Sequence, residues 1–391
     1  MASPSARATA PARGTRPRNR SELLRAAAAE LFAQHGYANV SMADVAAAVN
    51  VGTSAVYHHY AGKAELLYDA IDGALERAAS GLPTTPAGEL PEVAGFLAAL
   101  ILDDRALGVL WQRESGNLGK AERGRLGKKF VHINTWLAGE LRACRPELTS
   151  NQVELLAACA LQAMTSVAFH HLSLPRGQYE RLLADLATRV MLMDPPPAGT
   201  KPRARRKMAL TRADEIIDAG IALFARRGYA DTSIDDIGAV VGIAGPTIYN
   251  HFASKHDILV AGLLRGHDQL QESLRVARSE GIGPADVLRR LSDAYVDLTL
   301  DQTDLIGALS TESVHLGDEA ASRQVRDVQR AYIQDWVAIA RAHNPTDSPT
   351  VARIKVQAAQ MMANDVARAS RLRRISNLRT TVREAAWLLQ Q

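Results

Sequence analysis

The sequence predicts an all-α chain of two tandem, similar units, and three observations carry that prediction. First, 391 residues exceed what one compact core accommodates. Second, the composition (47% hydrophobic, 23% charged, 5% aromatic) is that of a helix-rich globular protein, and apolar residues recur at helical spacing in both halves. Third, the chain repeats itself. Slid by 192 residues, positions 20–67 fall on 212–259 without a gap, and 17 of the 48 pairs are identical. The pairs include Phe32/Phe224, Gly36/Gly228, Tyr37/Tyr229, Ser41/Ser233, Tyr57/Tyr249, His59/His251 and Lys63/Lys255. A period this long is a duplicated domain, not a solenoid.

Several classes are excluded at this level. No window approaches 18 consecutive apolar residues, so no membrane span is expected. The Arg-rich start lacks the apolar core of a secretory signal. The two cysteines, Cys144 and Cys159, have no CxxC spacing, which argues against a disulfide framework or a zinc cage and for a cytoplasmic protein. GxSxG, HExxH and GxGxxG are absent, and no catalytic residue, cofactor or metal is expected.

The +4 net charge is unevenly distributed. Residues 1–20 hold five Arg and no acid, and residues 201–212 hold six Lys or Arg and no acid, which leaves the remainder at −7. An acidic body with two basic arms holds a polyanion at two places. Each arm immediately precedes one copy of the repeat.

Within each copy, Leu24, Ala27, Leu31 and Phe32 and their counterparts mark a first helix, stopped by Gly36 or Gly228. Ser41 and Ser233 sit where an N-cap begins a second helix, with Asp44 and Asp235-Asp236 in its first turn. A turn at Asn50 or Gly242 leads to a third short helix, SAVYHHY or PTIYNHF, with Pro246 near its start. A longer helix followed by two short helices about a tight turn is a helix-turn-helix, whose last helix enters a DNA major groove. The groove-facing candidates are Ser41, Thr53, Ser54, Tyr57, His58 and His59 in copy one. In copy two they are Ser233, Gly245, Thr247, Tyr249, Asn250 and His251. Lys63 and Lys255 are expected beside the phosphate backbone.

GYANVSMADVAAAVNVGTSAVYHHYAGKAELL and GYADTSIDDIGAVVGIAGPTIYNHFASKHDIL both resemble the DNA-binding domain of TetR-type transcriptional repressors. The carrying pieces are Gly-Tyr, the capped second helix, and Tyr-x-His-aromatic followed two residues later by Lys. Copy one departs from the pattern at Asn50, where Gly is usual, and at Tyr60, where Phe is common. The whole chain resembles the single-chain double TetR regulators of actinobacteria, a group with repressors of mammalian-cell-entry lipid-transport operons. It shares with them RALGVLWQRES, HLSLP and GIAGPTIY.

The resemblance implies two tandem TetR-like units, each a three-helix helix-turn-helix domain followed by a six-helix ligand and pairing domain. The expected boundaries are a basic disordered arm (1–19), head one (20–62), body one (63–193), a Pro-rich basic linker (194–211), head two (212–254) and body two (255–391). It also implies a double-stranded DNA operator, self-pairing between the units or a homodimer, and a small apolar or acyl-CoA-like effector. Candidate cavity residues are Trp111, His132, Trp136, Met164, Phe169 and His170 in body one. In body two they are Tyr295, Glu312, His315, Tyr332, Trp336, Met361 and Met362. Ordinary core packing is the competing reading for each. The basic run Arg368, Arg371, Arg373, Arg374 and Arg379 reads as a solvated helix end. Because the two third helices differ at most exposed positions, a ligand-relieved repressor reading an asymmetric operator is expected. A ligand-blind architectural DNA binder and a helical enzyme are the alternatives.

Overall fold

The computed structural model describes residues 20–84, 88–197, 211–279, 283–312 and 320–391. The basic arm (1–19), most of the linker, and His315 lie outside these residues, as does the side chain of Glu312. Every regular element among the described residues is helical.

Head one is α1 (Arg20–His35), α2 (Met42–Ala48) and α3 (Thr53–Tyr57). Leu24, Ala28 and Phe32, each four residues apart, put one fully buried face of α1 against α4 (Lys63–Gly81). Gly36 ends the helix at φ 80°, with its N–H donating to the Phe32 carbonyl at 2.9 Å. Body one continues with α5 (Leu90–Asp103), the short α6 (Leu107–Val109) running into a π-helical turn at Leu110–Glu114, α7 (Lys120–Cys144), α8 (Ser150–Thr165) and α9 (Arg176–Leu192).

The second unit repeats the order. Head two is α10 (Arg212–Arg227), α11 (Ile234–Val241) and α12 (Gly245–Ile248). Its body is α13 (Lys255–Ser279), α14 (Pro284–Asp301), α15 (Thr303–Glu312), α16 (Ala320–His343), α17 (Pro349–Arg368) and α18 (Leu378–Leu388).

The bodies meet along α8 and α17. Both helices are Ala-rich and buried nearly all round: Ala157, Ala158, Ala160 and Ala163 on α8, Ala352, Ala358, Ala359 and Ala363 on α17. Small side chains let the two backbones approach closely, and α18 closes the seam against α8 and α9. Residues Ser150–Phe169 have, by length and mean hydropathy (1.3) alone, the character of a membrane-crossing helix. Here 67% of that window is buried inside the protein, between α9 and α17. The start of the linker lies on α18: Asn377 Nδ2 donates to the Pro196 carbonyl (3.1 Å), and Thr380 Oγ1 to that of Pro197 (3.0 Å).

The heads are anchored differently. Head one shares one continuous apolar core with both bodies. Head two has a separate core, built from Ile216, Phe224, Ile237, Ile248 and Ile258 and closed by Leu305, Ala308 and Val325.

Candidate nucleic-acid interface

In each head the second helix begins with a reciprocal cap. Ser41 Oγ accepts from the Asp44 N–H (3.2 Å), while the Ser41 N–H donates to Asp44 Oδ2 (2.8 Å). Ser233 and Asp236 do the same at 3.0 and 2.9 Å. These caps hold both Asp44 and Asp236 below the usual carboxylate range. Asn50 takes the left-handed conformation (φ 56°) that Gly242 takes in head two (φ 77°), so the turn keeps its shape despite the substitution. The other departure is also accommodated. The Tyr60 hydroxyl donates to Asp69 Oδ2 at 2.6 Å, and head two replaces that polar pair with Phe252 and Ala261.

The third helices present their polar side chains outward. Val56 and Ile248 are fully buried, while Tyr57 and Tyr249 remain 55% and 57% exposed. Ser54, His58 and His59 share the exposed side of α3 with Tyr57, and Thr53 is half-buried at its first position. Thr247, Asn250 and His251 are exposed on and after α12. Ser41 and Ser233 are exposed at the start of the second helices. Each head thus offers one outward aromatic ring beside hydroxyl and imidazole groups, joined in head two by the Asn250 amide, groups that can donate to or accept from base edges and phosphates.

Three sequence expectations are corrected. Gly245 is buried, not outward-facing: a Cβ there would lie 3.3 Å from the Asp235 Cα and closer still to its carboxylate, so this glycine lets α11 and α12 touch. Lys63 and Lys255 do not reach outward. Each lies 4.2 Å over the ring of Tyr37 or Tyr229, and its Nζ donates at 2.6 Å to that residue's carbonyl. Lys255 also donates to the Thr232 carbonyl at 2.7 Å. Both ammonium groups lock the loop between the first and second helices.

The glycine-dependent turn of head two gives a direct test. A Cβ on Gly238 would sit 2.7 Å from the Ile243 carbonyl oxygen, a backbone atom with little room to move, whereas head one carries Ala46 at the matching place. Gly238→Ala is expected to destabilise head two by about 1–3 kcal/mol. Amide exchange should speed up within 234–252 and stay unchanged within 42–60. Equal protection in the parent and the variant would show that this turn tolerates a side chain.

Residues 24–70 and residues 216–261 each match the family described as bacterial regulatory proteins, tetR family. Both heads are therefore similar to TetR-family DNA-binding domains. Among curated relatives, the HTH-type transcriptional repressor KstR2 of Mycobacterium tuberculosis is 41% identical over 130 residues, 33% of this chain and 64% of that protein. The activator FasR of Mycolicibacterium smegmatis is 31% identical over 101 residues, 26% of this chain and 46% of that protein. The chain therefore spans less than two thirds of the length of either relative. A solved structure of KstR2 covers 46% of this chain and 95% of its own, at 20% identity and a TM-score of 0.41.

Two cavities lie at the seam between the bodies. The larger, about 580 Å³, is walled by apolar residues of body one, among them Leu97, Ile101, Trp111, Phe130 and Leu161, and is completed by Val366, Ala369 and Leu372 of body two. Trp111 stacks on Phe130 (5.1 Å, 18°). Arg123 lies at its edge, as do Arg368 and Arg371, which are engaged. Arg368 pairs with buried Asp365 at 2.5 Å and donates to Gln112 Oε1 at 2.9 Å, and Arg371 pairs with Glu154 at 3.3 Å. Arg379 bridges Asp297 and Asp301. The basic run is therefore largely an ion-pair lattice, not a free helix end. The smaller cavity, about 320 Å³, takes Phe169, His170, Tyr295, Tyr332 and Met361.

The other cavity candidates are corrected. His132 is exposed to solvent. Trp136 packs on Phe96 and donates its Nε1–H to the Pro83 carbonyl (3.2 Å). Trp336, 1% exposed, belongs to the core with its Nε1–H on Gln390 Oε1 at 2.7 Å, and Met164 and Met362 are fully buried core. Sequence reasoning missed Glu114, a buried carboxylate in the π-helical turn that accepts the Tyr37 N–H of head one at 2.9 Å. It also missed the buried Asp365, which burial pushes upward and which accepts from Gln112 Nε2 at 2.6 Å.

Proposed function

We propose that the chain is a DNA-binding transcriptional repressor that presents two unlike TetR heads to an asymmetric operator as an intramolecular pseudo-dimer, relieved by an apolar, acyl-bearing effector. The reading rests on one observation above all: two capped helix-turn-helix heads with outward Tyr57 and Tyr249 sit in one chain whose bodies pair along α8 and α17. Seventeen of 48 aligned residues agree between the heads, yet the third helices differ at Ser54/Pro246, Ala55/Thr247 and His58/Asn250, which favours two unlike half-sites. The KstR2 relative, a transcriptional repressor by name, supports repression.

The 580 Å³ cavity, apolar over most of its walls with both guanidinium and carboxylate groups among its lining, suits an acyl chain and argues against a ligand-blind binder with a filled core. A route from cavity to head runs through one turn: Trp111 and Gln112 line the cavity, while Glu114 holds the Tyr37 N–H. An effector that favours a displaced turn lowers DNA affinity by the same factor as DNA lowers effector affinity, typically about 5–150-fold.

The testing experiment is a footprint with stoichiometry, using the full chain on the DNA upstream of its own gene at two salt concentrations. One chain protecting a non-palindromic site is expected. Two chains on a palindrome would overturn the pseudo-dimer, and no protected site would overturn the regulator.

A further inference from the structure

The smaller seam cavity has a chemistry of its own. Among its lining residues are one guanidinium, Arg113, and no carboxylate. Five lining side chains bring an enclosed polar atom with no hydrogen-bond partner: Arg113 Nε, Ser166 Oγ and His170 Nε2 from body one, Tyr332 Oη and Gln357 Oε1 from body two. Ser166 and Tyr332 are 1% and 3% exposed. Buried polar atoms are almost always paired, and each unpaired one costs on the order of 1–3 kcal/mol. Five around one cavity mark a place where the fold tolerates that cost.

The proton positions follow from the neighbours. His170 Nδ1 lies 3.1 Å from Arg105 Nη2 and 3.3 Å from the Leu172 N–H, two donors, so Nδ1 accepts and the ring proton sits on Nε2, the unpartnered atom. Burial and the nearby guanidinium push the His170 pKa down to about 3, so the ring is a neutral donor throughout the physiological range. Arg113 rests 5.5 Å over the Phe169 ring, and its Nε–H has no hydrogen-bond partner. The cavity therefore offers a guanidinium, an imidazole N–H and two hydroxyls as donors and one amide oxygen, Gln357 Oε1, as an acceptor, against apolar walls of Phe169, Leu270, Ile306 and Met361.

We infer that this cavity is a second ligand site, distinct from the acyl-effector cavity, for a small organic acid whose carboxylate meets Arg113, His170, Ser166 and Tyr332 and whose short apolar body lies on Phe169 and Met361. Its volume, about 320 Å³, fits a ring-sized molecule. Because its ligands come from both bodies, occupancy would brace the seam. The inference goes beyond the proposed function and does not depend on DNA binding.

The test uses the full chain and thermal unfolding with benzoate as the probe, benzamide as its neutral isostere, and inorganic phosphate. Benzoate is expected to raise the melting temperature saturably, as any ligand of the native state does, and benzamide to leave it unchanged. Arg113→Met should abolish the benzoate shift and Tyr332→Phe should weaken apparent affinity about tenfold. Without benzoate both variants should melt at or above the parent temperature, since each removes an unpartnered group. Absence of a saturable benzoate shift overturns the site, as does a shift that survives Arg113→Met. An equal shift with benzamide, or with phosphate alone, overturns the organic-acid assignment. Variants that melt lower without ligand show that the two groups serve the fold instead.

Discussion

Tyr57→Ala is expected to lower affinity for the operator by about 100-fold, and Tyr249→Ala to do the same, each without changing the melting temperature. The reasoning begins with burial. Both rings are more than half exposed on helices whose inward residues, Val56 and Ile248, are fully buried, so truncation removes nothing the fold uses. An exposed aromatic with a hydroxyl tip is the type of side chain that dominates a binding interface, at 2 kcal/mol or more by typical truncation experiments, roughly 30-fold. Loss of one head's anchor also removes part of the gain from tethering, about 100-fold or more when a second contact is intramolecular. Gel shift on the full operator checks the affinity and calorimetry checks the fold. A variant that binds within twofold of the parent would show that its head does not read DNA.

Trp336→Ala is expected to destabilise the chain by about 4 kcal/mol, as Trp→Ala changes in well-packed cores do. Its indole is 1% exposed, meets Tyr295 and Tyr332 edge-on at 5.3 and 5.8 Å, and donates to Gln390, whose own amide donates to Ser292 Oγ at 3.1 Å. Truncation leaves a cavity and an unpaired buried amide oxygen together. Trp111→Ala is the contrast: it is half-buried on the wall of the larger cavity and should alter effector affinity while costing far less stability. A urea titration separates the two cases. A loss below about 1 kcal/mol for Trp336→Ala would return that residue to the ligand class.

These two residues show where the sequence was legible. The heads could be read because their signals are local: a Ser three residues before an Asp, a Gly after the last apolar position, an Asn that adopts the left-handed turn. The repeat offset then tested each signal against a second copy. The bodies were legible as helices with breaks but not as sites. Periodicity tells which face of a helix is buried but not what buries it, so Trp336 and Trp111 looked alike. Gln112 meets Asp365 across 253 residues of sequence, and no spacing rule spans that distance. Lys63 and Lys255 failed for a related reason. A lysine opening a helix beside the expected duplex suggests a phosphate partner, yet the nearer acceptors were the carbonyls of Tyr37 and Tyr229, 26 residues earlier.

The pairing of α8 with α17 carries a consequence for gene dosage. In a protein that assembles from separate copies, the paired form falls with the square of concentration once the chain is scarce. In the proposed pseudo-dimer both halves of the seam are made by the same ribosome on the same message, so the paired form falls only in proportion to the number of chains. A few molecules per cell would be as fully assembled as a concentrated solution, and a twofold change in expression would change the assembled form twofold. Duplication inside one chain thus exchanges a threshold response to its own abundance for a linear one.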